Sequence, residues 1–252
     1  MLEVSGLTVR FGGITALNSV GFTVGARQMV GLIGPNGAGK TTLFNCLTRR
    51  YQADEGIVRF EGTDLLLVPP ASVVSLGIAR TFQNLGLFAE MSVCDNVLVG
   101  AHIRAHAGFV SAGLRLPSVR REEARLRIEV EALLERLDLS DVAEHPAAGL
   151  PFGTLKRIEL ARALAAAPRL LLLDEPCNGL SHSEVREFAA LLRELREERD
   201  LTVIVVEHHM GFVMGTCDRV ICLEFGRKIA EGTPAQVQNN QAVRDAYLGT
   251  ST

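Results

Sequence analysis

The sequence predicts an α/β fold built on a parallel sheet, with antiparallel β structure at its start and a helical insertion in its middle. Three observations carry this. The segment Gly34-Pro35-Asn36-Gly37-Ala38-Gly39-Lys40-Thr41-Thr42 sits between an apolar strand-like run and an amphipathic helix-like one, and it matches G-x-x-x-x-G-K-[ST]. Leu170-Leu171-Leu172-Leu173-Asp174-Glu175 is a continuous apolar run with two carboxylates at its C-terminal edge, as expected of a central parallel strand buried on both faces. Between these two segments, residues 85–167 change to helical periodicity.

The elements follow in order. Leu2 to Phe11 alternates as a strand, Gly12-Gly13 turns, Ile14 to Val24 continues extended, and Gln28 to Ile33 reads as a buried strand. After the glycine loop, Leu43, Phe44, Leu47 and Tyr51 fall at helical spacing. Ile57 to Gly62 is a further strand, Ala71 to Leu76 a short helix after Pro69-Pro70, and Ile78 to Asn84 a strand that carries Gln83 near its end. Val93 to Ala107 and Arg121 to Leu137 read as helices separated by Gly108 to Pro117. The second places Leu126, Val130, Leu133, Leu134 and Leu137 on one face, with Glu123 and Arg127 at i,i+4. A helix from Leu155 to Ala166 stops before Pro168. The capping box Ser181-His182-Ser183-Glu184 opens a helix through Arg199, and a strand from Leu201 to Val206 ends at Glu207-His208-His209. A helix over Met210 to Cys217, a strand over Arg219 to Glu224, the turn Phe225-Gly226-Arg227, a strand over Lys228 to Glu231 and two short helices complete the chain.

Composition narrows the classes. With 252 residues, 47% hydrophobic and 22% charged, the chain has enough apolar surface for a substantial core. The longest apolar candidate, Ala163 to Leu173, is broken by Pro168 and Arg169, so no membrane span is expected. The N-terminus alternates like a strand and has no basic leader region, which predicts a cytosolic protein. Cys46, Cys94, Cys177, Cys217 and Cys222 form no C-x-x-C pair and fit reduced, buried thiols. A net charge of −3 argues against general nucleic-acid binding, and the basic cluster Arg115 to Arg127 also carries Glu122 and Glu123, as a solvated helix face does.

The glycine loop has the chemistry of a phosphate site. Bound phosphates need backbone N–H groups at close range, and side chains at Gly34, Gly37 or Gly39 would obstruct the approach or the backbone angles. The following helix offers its positive N-terminal end, Lys40 a mobile cation for β- and γ-phosphates, Thr41 a hydroxyl for Mg²⁺, and Thr42 a contact to an α-phosphate oxygen. Phe11, at a strand end just upstream, is placed either to stack on adenine or to pack within its sheet, and local sequence leaves both open. Gln83 offers a neutral donor and acceptor where Mg²⁺ and a water could be felt. His102 and His106 have zinc-compatible spacing but no third ligand, so no metal is assigned to them.

Together these segments resemble an ABC-type ATP-binding subunit. Gly34 to Thr42 resembles its Walker A motif, Gln83 its Q-loop, Leu150 to Thr154 its signature, Leu170 to Glu175 its Walker B, Asn178 to Ser181 its D-loop, His208 its switch histidine and Phe11 its adenine-stacking aromatic. The resemblance implies a P-loop NTPase core over 1–84 and 168–234, including an antiparallel β subdomain. It also implies a helical subdomain over 85–167 and a helical tail over 235–252. ATP and Mg²⁺ are the implied cofactors. Asp174, Thr41 and Gln83 would then serve the metal, Glu175 the attacking water, and His208 and Lys40 the γ-phosphate. Gly153 and Thr154 would face the nucleotide of an opposing subunit.

Asn84 to Val93, the insertion near Phe109 to Val119, Leu150 to Arg157, Glu207 to Met210 and Ala246 to Gly249 further resemble bacterial branched-chain amino-acid importers, in particular the longer of their two ATPases. That implies a second ATPase subunit, two permeases and a periplasmic binding protein as partners, and a location on the inner face of the plasma membrane. The usual Ser-Gly-Gly-Gln of the signature reads Pro151-Phe152-Gly153-Thr154, which removes a hydroxyl and, at Pro151, an N–H. Ser181 stands where the D-loop aspartate is usual and also reads locally as a helix N-cap. Two other classes remain: a membrane-free ABC-type ATPase of DNA repair or translation, and an ATP-dependent dimerisation module with little hydrolysis.

Overall fold

The computed structural model describes residues 1–81, 85–105 and 117–248. The strands are β1 (Leu2–Phe11), β2 (Ile14–Val24), β3 (Met29–Ile33), β4 (Glu55–Phe60), β5 (Thr63–Asp64), β6 (Ile78–Arg80), β7 (Leu170–Asp174), β8 (Thr202–Val206), β9 (Arg219–Glu224) and β10 (Arg227–Gly232). The helices are α1 (Lys40–Leu47), α2 (Val93–Ala101), α3 (Pro117–Arg136), α4 (Phe152–Ala165), α5 (His182–Glu198), α6 (Met210–Thr216), α7 (Pro234–Gln238) and α8 (Gln241–Leu248). They form two compact units, one of residues 1–80 with 169–252 and one of residues 81–168.

The first unit holds both sheets. One is antiparallel, in the order β2-β1-β4-β5. The other runs β10-β9-β3-β8-β7-β6, with β6, β7, β8, β3 and β9 parallel and β10 an antiparallel edge. Every residue of β3, β7 and β8 is buried, which is why these strands read as unbroken apolar runs. Val203 faces Met29 on one side and Leu171 on the other. This register brings the C-terminal ends of β3, β7 and β8 to one sheet edge, so the chain leaving each strand emerges beside the others, where α/β proteins hold ligands.

In the second unit, Ser92 caps α2 by accepting the Asp95 N–H at 3.0 Å. Gly100 lies where a Cβ would approach the Arg162 carbonyl to 2.0 Å, so α2 and α4 cross at a distance only glycine permits. The buried Asn96 side chain donates to the carbonyls of Phe88, Met91 and Ser92 and accepts the Phe88 N–H, fixing the loop before its own helix. Leu126, Val130, Leu133, Leu134 and Leu137 are buried along one face of α3 and its end, as their spacing requires.

Several elements depart from their predicted extents. Ala71 to Leu76 forms no α-helix. A 3₁₀ turn covers Pro70–Ser72, and Gly77, at φ +90°, ends the segment before a longer helix can nucleate. α2 stops at Ala101 and tightens into a 3₁₀ turn over His102–Arg104 instead of continuing to Ala107. α1 ends at Leu47 because the Thr48 hydroxyl donates back to the Phe44 carbonyl and Arg49 turns left-handed, which leaves Tyr51 outside the helix. β6 ends at Arg80, and Phe82, Gln83 and Asn84 lie outside the described residues, as does His106. Arg127 pairs with Glu131 and Glu144 rather than following the predicted Glu123 spacing. All five cysteines are free and buried.

Candidate active site

The glycine loop joins β3 to α1, and each glycine has a distinct reason. At Gly34, φ +144°, a Cβ would meet the Leu223 carbonyl oxygen at 2.1 Å; at Gly39, φ +103°, it would meet the Ala16 oxygen at 2.7 Å. Gly37 has open space around it but φ +78°, so its backbone angle alone selects glycine. Gly39 caps α1 without any side-chain acceptor, and the first turn has no acidic residue. The helix therefore presents amide donors and a positive end that no carboxylate of its own first turn quenches. Pro35 and Thr42 are half-buried, Asn36 and Thr41 are exposed, and Ala38 is buried.

Lys40 is buried and folded back on the loop, its Nζ donating to the carbonyls of Gly34 at 2.6 Å and Pro35 at 2.9 Å. Burial pulls its ammonium below the usual lysine range, opposed chiefly by the negative charge of Glu175. Two segments brace the loop from outside. The Gly226 N–H donates to the Ala38 carbonyl at 3.0 Å, and the Gly34 N–H donates to the Tyr247 hydroxyl of α8 at 2.9 Å. Burial pushes the Tyr247 phenol up to about 12.

Asp174 ends β7 and faces Val206 of β8. Its Oδ2 receives Arg80 Nη2 at 2.7 Å, while Arg80 Nη1 donates to Asn45 Oδ1 at 2.7 Å and the guanidinium lies 5.4 Å over the Phe44 ring. Glu175 adopts φ +49°, a left-handed turn at the strand end, and its N–H donates to the Val206 carbonyl at 2.9 Å. His208 Nδ1 stands 3.9 Å from Glu175 Oε1, so the predicted water-activating carboxylate and switch histidine are brought together.

Phe11 closes β1 with 46% of its surface exposed, and its ring packs edge-to-face on Tyr51 at 5.2 Å. The ring thus packs on Tyr51 while about half of the residue's surface stays exposed. Gln83 lies outside the described residues. Gly153 and Thr154 lie in the second unit, in the first turn of α4 after the N-cap Pro151. One turn along the helix, Lys156 Nζ lies 5.6 Å over the half-exposed Phe152 ring. Ser181 caps α5 reciprocally with Glu184, which accounts for a serine at that position.

Three residues that sequence reasoning did not single out line this edge: Arg80, Tyr247 and Glu207. Arg80 had one visible signal, a cation directly after the apolar pair Ile78-Ala79 in the predicted strand. Glu207 and Tyr247 had none, because Tyr247 accepts from an amide distant in sequence and the adjacent amides of His208 and His209 give no hint that Glu207 also holds the Cys177 N–H.

Comparison with known proteins agrees with this geometry. The family profile described as "ABC transporter" matches residues 17–178, and one described as "Branched-chain amino acid ATP-binding cassette transporter" matches residues 227–251. The chain is 41% identical over 249 residues to the high-affinity branched-chain amino acid transport ATP-binding protein BraF of Pseudomonas aeruginosa, covering 99% of this chain and 98% of that one. It is equally identical, over the same shares, to LivG of Escherichia coli, which carries the same description. Among solved structures, the ADP conformation of an ATP-binding cassette of an ABC transporter superposes with TM-score 0.84 at 30% identity, covering 99% of this chain and 98% of that one. A glycine loop, two strand-end carboxylates and a histidine on one sheet edge, matched along nearly the whole chain, place this protein in the ATP-binding cassette family of ABC transporters.

Proposed function

We propose that this chain is the ATP-hydrolysing subunit of an importer of branched-chain, hydrophobic amino acids. The observation that carries the catalytic part is the placing of the glycine loop, Asp174-Glu175 and His208 at the ends of the adjacent parallel strands β3, β7 and β8. The triphosphate would lie on the amides of Gly34 to Thr42, displacing Lys40 Nζ from its two carbonyls onto the β- and γ-phosphates. The Thr41 hydroxyl and Asp174 carboxylate are hard oxygen donors that fit Mg²⁺, an ion that keeps several waters and needs few protein ligands. Gln83 would add a third oxygen. When bound, Mg²⁺ neutralises phosphate charge. Glu175 then orients a water in line with the γ-phosphate and takes its proton. His208, beside Glu175, steadies the γ-phosphate, and the exposed Phe11 ring stacks on adenine.

No described helix is long and apolar enough to cross a membrane, so the membrane steps are assigned to partner permeases. The assembly would be two ATPase subunits head to tail, with the Gly153 and Thr154 amides of one facing the nucleotide of the other, two permeases and a periplasmic binding protein. The substrate class is supported by the BraF and LivG descriptions and by the tail profile over residues 227–251. The test is to purify the tagged chain from gently solubilised membranes and assay ATP turnover in vesicles with leucine, isoleucine or valine. Co-purifying permeases and stimulation by these amino acids are expected. Recovery only from soluble fractions with nucleic-acid or ribosomal partners would overturn the transport reading.

A further inference from the structure

Glu207 is a carboxylate at the end of a buried parallel strand, with 1% of its surface exposed. Burial of an ionised group is unfavourable unless its lone pairs are filled, and here they are filled by backbone. Oε1 accepts the Cys177 N–H at 2.7 Å, and Oε2 accepts the N–H groups of His208 at 2.9 Å and His209 at 3.0 Å. One side chain therefore grips two loops. The first is the turn that follows Glu175, where the Asn178 N–H donates to the Glu175 carbonyl and the Leu180 N–H to the Cys177 carbonyl. The second carries the histidine.

The separation of Glu175 and His208 gives this grip its consequence. At 3.9 Å, His208 Nδ1 and Glu175 Oε1 are beyond hydrogen-bond length, so no direct bond between them fixes their spacing, and the backbones that bear them matter to it. Glu175 is anchored by its own N–H to Val206, and the residues on either side of the gap, Cys177 and His208, are both anchored to Glu207. Bonds to an ionised acceptor are the stronger kind, and three of them on one carboxylate tie both loops to a single side chain.

We propose that Glu207 is a positioning residue that couples the switch-histidine loop to the loop after Glu175, so that His208 and Glu175 are set together for the reaction. The proposal rests on the hydrolysis reading above for its kinetic part, but its structural part is independent of it. Glu207→Gln keeps size and shape while turning an amide NH₂ toward the N–H donors of one arm and leaving a neutral oxygen, a weaker acceptor than a carboxylate, on the other, so both arms weaken. Glu207→Asp keeps the charge and shortens the reach.

The experiment measures amide hydrogen exchange at Cys177, His208 and His209 in the full chain, alongside ATP turnover and binding of a fluorescent ADP analogue. In Glu207→Gln, exchange rises at least tenfold in both loops while β3 and α1 stay protected. Turnover falls at least tenfold with analogue affinity within threefold of wild type, and Glu207→Asp recovers part of the loss. Loosening of one loop alone, loosening throughout the unit, or turnover within threefold of wild type overturns the proposal. If wild type hydrolyses ATP no faster than Glu175→Gln, the hydrolysis reading fails, and the exchange pattern alone decides whether Glu207 couples the loops.

Discussion

Arg80 Nη2 lies 2.7 Å from Asp174 Oδ2, with side-chain exposures of 7% and 5%. The carboxylate proposed to serve the metal is thus held by a buried cation before any ion arrives, and one of its oxygens is directed by that contact. Arg80 Nε makes no hydrogen bond among the described residues, so the guanidinium is held by Asp174, Asn45 and the Phe44 ring. Removing one member of a buried ion pair takes away the nearest compensation of the other charge, at a cost of up to about 3–5 kcal/mol. Arg80→Met is expected to lower unfolding stability by that order and to weaken the Mg²⁺ dependence of nucleotide binding. Urea melts with and without Mg²⁺ check this, and an unchanged midpoint would show that Arg80 does not hold Asp174.

Lys40→Ala should separate binding from folding. The ammonium is buried at a desolvation cost, and its two carbonyl partners sit in a loop that can be hydrated once the side chain is gone. Apo stability is expected to stay within about 1 kcal/mol, as losses and gains of this kind nearly cancel. Nucleotide affinity is expected to fall at least tenfold in a fluorescent-analogue titration. Unchanged affinity would refute the phosphate role of the loop.

How much of this was legible in sequence follows from where each interaction lives. The glycine loop, the leucine run and the capping box were legible because their reasons are local: backbone angles, strand burial and a side chain reaching three residues along. The early end of α1 was not, because Thr48 back-bonding competes with a spacing that continues to Tyr51. Glu123 and Arg127 had the right spacing, yet Glu131 and Glu144 hold Arg127 instead. Spacing reports which partners are possible, and packing selects among them. The roles of Arg80 and Glu207 required knowing which strands are neighbours, and that of Tyr247 where the last helix packs, information that local spacing does not contain.

Tyr247→Phe tests the link between the C-terminal helix and the loop. The ring remains, while the Gly34 N–H loses its acceptor. A buried amide left without a partner costs about 1–3 kcal/mol. The expected result is a stability loss in that range and nucleotide affinity weakened several-fold. Wild-type values for both would show that the contact is incidental.

Alkaline pH should destabilise the protein. Burial pushes Cys46 and Cys222 up to about 11 and Cys217 up to about 12, each from 9.0, and Tyr247 up to about 12 from 10.0. The folded state therefore retains protons that the unfolded chain releases. The stability they contribute is complete below about pH 9 and is lost as pH rises toward 11–12, at up to about 1.4 kcal/mol per pH unit for each group. Lys40 and Lys228, both lowered by burial, work in the opposite direction over the range below 10.5, against three thiols and a phenol. Urea midpoints from pH 8 to 10.5 should fall, and a thiol reagent should react only with unfolded chain.

The measurement that tests the central claim most directly is ATP turnover of wild type against Glu175→Gln at saturating Mg²⁺ and ATP. Proton transfer by a positioned base contributes roughly 10²–10⁴-fold, so the variant is expected to lose at least a hundredfold in kcat while still binding ATP. Equal rates would contradict the assignment of Glu175 and, with it, the account of this sheet edge as the place where ATP is hydrolysed.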